Sequence, residues 1–143
     1  MQSSHAIPLR VYKNETVSVL LPLPLTGPYE YFVPPEMSVS AGDFVSVPLG
    51  KRDMNGVVWG DSRGQVDSNK IRKINGLLDI PPLSEDLRML IDWTASYTLS
   101  APGAVLRMSM SVPSALEPPR TLIGFLSAVD IDKKKNRFAN QVN

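Results

Sequence analysis

The sequence predicts a mainly β domain with C-terminal helices, built as a small, strongly bent sheet or barrel-like fold. Three observations carry that class. Short runs rich in valine and aromatic residues recur at roughly ten-residue spacing between residues 16 and 80, with turn residues between them. The 13 prolines among 143 residues are about twice the usual share, which argues for many short elements. Only one long stretch, after Ser84, has the three-and-four spacing of an amphipathic helix.

The first strand spans Thr16 to Leu23, where Val17, Val19 and Leu21 alternate with Ser18, Leu20 and Pro22. Pro22 and Pro24 cannot donate to a ladder, so they belong at a sheet edge or where the strand leaves the sheet. A Gly27-Pro28 turn leads into a second strand, Tyr29 to Val33, closed by Pro34-Pro35. Met37 to Val39 is a weakly extended link, and Ala41-Gly42-Asp43 is a turn. A third strand, Phe44 to Val47, is expected to stop at Pro48, and Gly50-Lys51-Arg52-Asp53 to form a hairpin loop. Met54 to Trp59 is the returning strand. Gly60 to Lys70 is polar and aperiodic, a surface loop, and Ile71 to Ile80 alternates again as a closing strand.

Pro81-Pro82 ends the sheet region. Ser84 is an N-cap, followed by Glu85 and Asp86 at the positive end of a helix dipole. That helix is expected to run to about Ser100, with Trp93 and Tyr97 packing it onto the sheet. Pro102-Gly103 breaks it, and Ala104 to Met110 forms a shorter helix. The domain is bounded at residues 17–112, after an N-terminal extension (1–16) and before a linker and divergent tail (113–143). In that tail Thr121 to Ile131 is apolar without clear period, and Asp132 to Asn143 is polar and expected to fray.

Composition narrows the chemistry. The chain has no cysteine, so neither a disulfide framework nor a thiolate zinc site is available, and no apolar run is long enough for a membrane span. A cytoplasmic setting is expected. The single histidine, His5, lies in the N-terminal extension, which leaves a serine-histidine pair or a histidine metal site without material. Gly50-Lys51 is not a phosphate-binding loop: Val45 stands where the first glycine is needed and Arg52 where Ser or Thr is needed. No catalytic residue, metal ligand or cofactor is therefore assigned. The net charge of +1 conceals a basic middle: residues 44–78 carry Lys51, Arg52, Arg63, Lys70, Arg72 and Lys73 against Asp53, Asp61 and Asp67. Tyr29 and Glu30, at the rim beside the proline-broken strand, offer an aromatic wall and a carboxylate to one flat polar ligand.

Five pieces in order, Leu21-Pro-Leu-Pro-Leu-x-Gly-Pro-Tyr-Glu-Tyr-x-Val-Pro34, Ala41-Gly-Asp-Phe-Val-x-Val-Pro-Leu-Gly-Lys-Arg52, Gly56-Val-Val-Trp59, Leu87-x-x-x-Ile-Asp-Trp-x-Ala-x-Tyr-Thr98 and Pro102-Gly-x-Val-Leu-Arg-Met108, resemble the N-terminal domain of the primosomal protein N′ (PriA) family of replication-restart helicases. The resemblance covers about Val17 to Pro119. It implies a DNA-binding module that recognises the 3′ end of a nascent strand at stalled, forked DNA during primosome assembly. It also implies a pocket at Tyr29 and Glu30, Gly50 with Lys51, and Arg72, a position for which Lys73 competes; by their charge, Arg52 and Lys73 are candidate phosphate contacts beside it. This chain has Glu where the family usually has Asp, and Arg where it usually has Lys. Full-length members continue into a motor using ATP and Mg and a Zn-binding part. Their motifs are not in these residues, so no enzyme activity is expected of this chain. Contacts with other primosome proteins or single-stranded DNA-binding protein would fall to those other parts. The competing expectation is a small β-barrel that binds protein through its proline-rich rim and has no affinity for DNA.

Overall fold

A computed structural model describes residues 10–110. The readings of His5 and of the tail beyond residue 110 lie outside the described residues. Eight strands and two α-helices follow in order: β1 Val11–Tyr12, β2 Thr16–Leu20, β3 Tyr29–Phe32, β4 Val39–Ser40, β5 Phe44–Leu49, β6 Arg52–Asp61, β7 Arg72–Lys73, β8 Gly76–Leu77, α1 Glu85–Thr98 and α2 Pro102–Ser109, with a short 3-10 turn at Ser68–Lys70 between β6 and β7. Six strands form one sheet in the order β7-β3-β2-β6-β5-β8, and β1 pairs with β4 in a separate two-stranded ribbon.

The sheet curls because its two edges are tied by one short piece of chain. β7 lies parallel to β3 on one edge and β8 lies antiparallel to β5 on the other, with only Ile74 and Asn75 between them. Two residues span at most about 7 Å. The Ile74 amide donates to the Phe32 carbonyl and the Asn75 amide to the Ser46 carbonyl, which draws the β3 and β5 edges together. The closing strand expected over residues 71–80 is thus two short pairings with a crossing between them.

Alternation along each strand divides two cores. Val17, Val19, Tyr31, Val45, Val47 and Val58 face the concave interior together with Tyr12, Val39 and Ile74. Their neighbours Leu20, Phe44 and Val57 face outward and are covered by Ile91 of α1 and Leu106 of α2. Tyr12 is 4% exposed and β1 pairs with β4, so the packed unit starts inside the segment read as an N-terminal extension.

Two strand ends depart from the expectation. β2 stops at Leu20: past it, the Leu23 and Leu25 amides donate to the Leu21 and Leu23 carbonyls, tight local turns that fit prolines at alternate positions. β5 instead runs through Pro48 to Leu49. Pro48 is tolerated because β8 pairs only with Val45 and Ser46, leaving that side of β5 an open edge where no donor is needed. With Leu49 paired to Arg52, the hairpin loop is just Gly50 and Lys51, and Arg52 and Asp53 belong to β6. Gly50 holds φ +64° at the first central position, as a II′ turn requires. A Cβ there would meet nothing, so Gly50→Ala isolates the backbone term. It is expected to lower stability by about 1–2 kcal/mol in urea denaturation, while Gly50→Asn costs less.

α1 begins as expected, with the Ser84 Oγ accepting from the Leu87 amide at 3.3 Å, and ends at Leu99 in a left-handed conformation (φ 53°). α2 starts at Pro102 rather than after it, because proline at the first position loses no helical hydrogen bond. The expected packing of Trp93 and Tyr97 on the sheet is not what the structure shows. Leu87, Ile91 and Ala95 form the inward stripe, while Trp93 is 62% and Tyr97 76% exposed. Small Ala95 lets α1 approach closely, and the larger rings lie on the opposite side of the helix. The Trp59 indole N–H donates to both carboxylate oxygens of Asp92 at 3.2 Å, tying β6 to α1.

Candidate functional site

β3 is the strand that places the candidate side chains, and its alternation separates them. Tyr29 and Tyr31 point to the concave side, whereas Glu30 and Phe32 point to the convex side. Tyr31 is buried, and its hydroxyl donates to the Pro48 carbonyl at 3.1 Å. Burial holds that phenol above its ordinary pKa against the opposing pull of Arg72, so it remains a neutral donor.

Arg72 is paired with Tyr31 and donates from Nη1 to the Gly50 carbonyl at 2.8 Å. Gly50, Lys51 and Arg72 are therefore gathered at the mouth of the curled sheet, beside Tyr31, with exposed Arg52 at the first position of β6. Of the two neighbouring basic residues, Arg72 meets the Gly50 turn, and Lys73 lies opposite Phe32 on the convex side.

Glu30 looks away from that mouth, toward the loop after β6. Its Oε1 accepts from the Ser62 hydroxyl at 2.8 Å and from the Gln65 amide at 3.4 Å. Its Oε2 is enclosed and receives no hydrogen bond from the protein. Among the described residues no hydrogen bond or ion pair joins Glu30 to Gly50, Lys51 or Arg72, so the five candidates form two groups rather than one cradle, Tyr29 lining the Glu30 cleft. A cleft of about 260 Å³ opens around Glu30, lined by Thr26, Gly27, Tyr29, Arg63 and Gln65 among others. That lies just below the roughly 300 Å³ at which small-molecule pockets begin, room for a single base or nucleoside. A second hollow of about 360 Å³ lies along the same side of β3, between Thr16, Phe32, Ile71 and Lys73.

Desolvation pushes the Glu30 carboxyl toward the neutral form. The Ser62 hydroxyl and the backbone amides of Gln65, Arg63 and Gly64 outweigh it, and the pKa is lowered from its ordinary value. The stabilisation this gives is present above the unfolded-state pKa and is lost as pH falls through the depressed folded value. In a pH titration followed by NMR, the Glu30 carboxyl and the Ser62 and Gln65 signals are expected to change together, with a midpoint below 4.5. A midpoint at or above 4.5 would contradict the hydrogen-bonded carboxylate.

Ser62, Arg63 and Gln65 are the site residues that sequence reasoning missed. They fall in the aperiodic stretch 60–70, and nothing local marks their pairing with a residue more than thirty positions earlier. Among the described residues there is no group of three His, Cys, Asp or Glu side chains placed to hold a metal ion, and no helix is long and apolar enough to cross a membrane.

Comparison with known proteins gives a consistent picture. A family model described as "3'DNA-binding domain (3'BD)" matches residues 18–111. The replication restart protein PriA of Rickettsia conorii is 29% identical over 104 residues, covering 70% of this chain and 15% of that protein. The proteins of the same name from Synechocystis and Haemophilus influenzae are 30% and 31% identical over 97 and 98 residues, covering 65% and 67% of this chain and 12% and 13% of theirs. The chain spans about 15% of the length of the first of these curated relatives.

Proposed function

The chain belongs to the 3′ DNA-binding domain family found in replication restart protein PriA, and from that premise we propose that its Glu30 cleft receives the 3′ terminus of a DNA strand at a stalled fork. One observation supports this above the others: a carboxylate kept ionised by the 62–65 loop stands in a cleft sized for one nucleoside, with Tyr29 among the residues that line it. A 3′ hydroxyl, or a base amino group, can donate to that carboxylate. An internal nucleotide would bring a phosphate against it, and like-charge repulsion then favours ends over continuous strand. Tyr29 gives a stacking surface that accepts any base. Arg63 beside the cleft, and Lys51, Arg52, Arg72 and Lys73 around the two sides of β3, would neutralise the phosphates leading to the terminus.

In this reading the chain is a binding module without turnover, and neither metal nor cofactor enters the contact. Replication restart, unwinding and primosome contacts are proposed only for a whole protein of the relatives' kind, acting in the cytoplasm where forks are. Titration with labelled single strands tests the module. Binding should weaken steeply with salt, and a 3′-phosphate end should bind about ten- to a hundredfold more weakly than a free 3′ hydroxyl, the range of one charge-assisted hydrogen bond. Equal affinity for free and blocked ends would overturn the terminus reading. Absence of any salt-sensitive binding would overturn DNA binding altogether and leave the proline-rich rim as a protein contact.

A further inference from the structure

Two half-buried apolar side chains, Phe32 and Ile71, belong to neither core. They line the hollow of about 360 Å³ on the convex side of β3, together with Thr16 and exposed Lys73. Core packing therefore does not account for an aromatic ring at this place. The hollow is the next step along the face that carries Glu30: Ser18 pairs with Glu30 and Thr16 with Phe32, so the two pairs stand side by side on the convex face of β2 and β3. Two residues of strand separate them by about 7 Å. That is about twice the roughly 3.4 Å rise of stacked bases along one DNA strand. A strand reaches both hollows only when its last two bases come apart, and each base then needs a surface of its own.

Charge reverses over the same step. The Glu30 cleft carries a carboxylate, whereas the second hollow has Lys73 and no acid among its lining residues. Among the described residues the ion pairs engage Arg10 and Lys70 but not Lys73, and Glu15, next to Thr16, is itself held by Arg10 at 3.1 Å. A phosphodiester that Glu30 repels is thus accepted two positions further along the strand.

We propose that this hollow holds the penultimate nucleotide of the strand whose 3′ terminus occupies the Glu30 cleft. Its base lies against Phe32 and Ile71, and Lys73 neutralises the phosphate that joins it to the terminal nucleotide. The inference rests on the terminus reading and extends it to a second nucleotide. The last nucleotide is recognised by its end, and the one before it by stacking, without preference for a particular base.

Fluorescence titration of the full chain with labelled single strands, all ending in a free 3′ hydroxyl, tests the second hollow. An abasic residue at the penultimate position should weaken binding about five- to a hundredfold, the range of one base stacked on an aromatic ring, and an abasic residue several positions further in should leave it nearly unchanged. Phe32→Leu keeps an apolar side chain but no ring. It should bring the intact and penultimate-abasic strands to within about twofold of each other, with the preference for a free over a phosphate-blocked end retained. Lys73→Gln should lower the slope of log affinity against log salt by about one. Equal affinity for intact and penultimate-abasic strands, with the end preference persisting, would overturn the second hollow and leave the terminus reading standing. A penalty of the same size at every position would also overturn it, because the proposal requires a register counted from the end. Loss of the end preference in the unaltered chain would remove the terminus reading and this inference with it.

Discussion

Gly103→Ala is expected to destabilise the domain by about 3 kcal/mol, at the upper end of what overpacking costs, although alanine is the better helix former by about 1 kcal/mol. The sign follows from where α2 docks. Gly103 is buried in the first turn of α2, and a Cβ there would run into the carbonyl oxygens of Leu21 and Leu23. Those are backbone atoms held in the tight turns after β2, so they cannot step aside as a flexible side chain would. The helix has to move instead, lifting fully buried Leu106 from Leu20 and Val57. A lower urea midpoint with an unchanged slope is the expected result; a raised midpoint would show that helix propensity outweighs the contact. The same displacement should weaken ligand binding, because Leu21–Leu25 leads directly to Thr26 and Gly27 at the cleft.

Glu30→Ala is the second large effect, on selectivity rather than stability. The preference for a free 3′ hydroxyl over a 3′ phosphate is expected to fall from ten- to a hundredfold to near unity. The salt-dependent affinity that rests on the arginines and lysines should stay within about threefold. Glu30 also anchors the 62–65 loop through Ser62 and Gln65, so the alanine variant removes a scaffold as well as an acceptor. Glu30→Gln separates the two: its side-chain oxygen can still accept from Ser62, but the charge that repels an internal phosphate is gone. A glutamine variant that retains the full preference would assign selectivity to the shape of the cleft and not to the charge.

Much of this architecture is legible in the residues, and the misses have physical causes. Alternation in Val17–Leu20 and Phe44–Val47 marks the strands, and the two sides of each meet different cores. The Gly50 turn is readable because only a few residue types tolerate its backbone. Pro48 misleads, since whether a proline ends a strand depends on whether a neighbour sits opposite, and that is decided by where β8 stops. Trp93 and Tyr97 mislead in the same way. Hydrophobicity alone marks them for a core, but it is the stripe through Leu87, Ile91 and Ala95 that turns inward. The candidate site was half legible. Tyr29, Glu30, Gly50 and Arg72 can be named as candidates from the residues alone, but the opposite directions of Glu30 and Arg72 follow from β3 alternation combined with the β3–β7 register, and the register is a long-range property. Ser62, Arg63 and Gln65 left no local mark, because a loop that closes over a carboxylate needs only donors, and any polar stretch has those.

The most direct test is to locate the strand terminus by amide NMR, comparing a short oligonucleotide that has a free 3′ hydroxyl with the same one ending in a 3′ phosphate. Signals of Gly27, Tyr29, Glu30 and Ser62 to Gln65 should shift with the free end and stay largely unmoved with the blocked one, while those of Lys51, Arg52 and Arg72 respond to both. Shifts confined to the Gly50–Arg72 mouth for both ends, with the Glu30 cleft silent, would contradict the account.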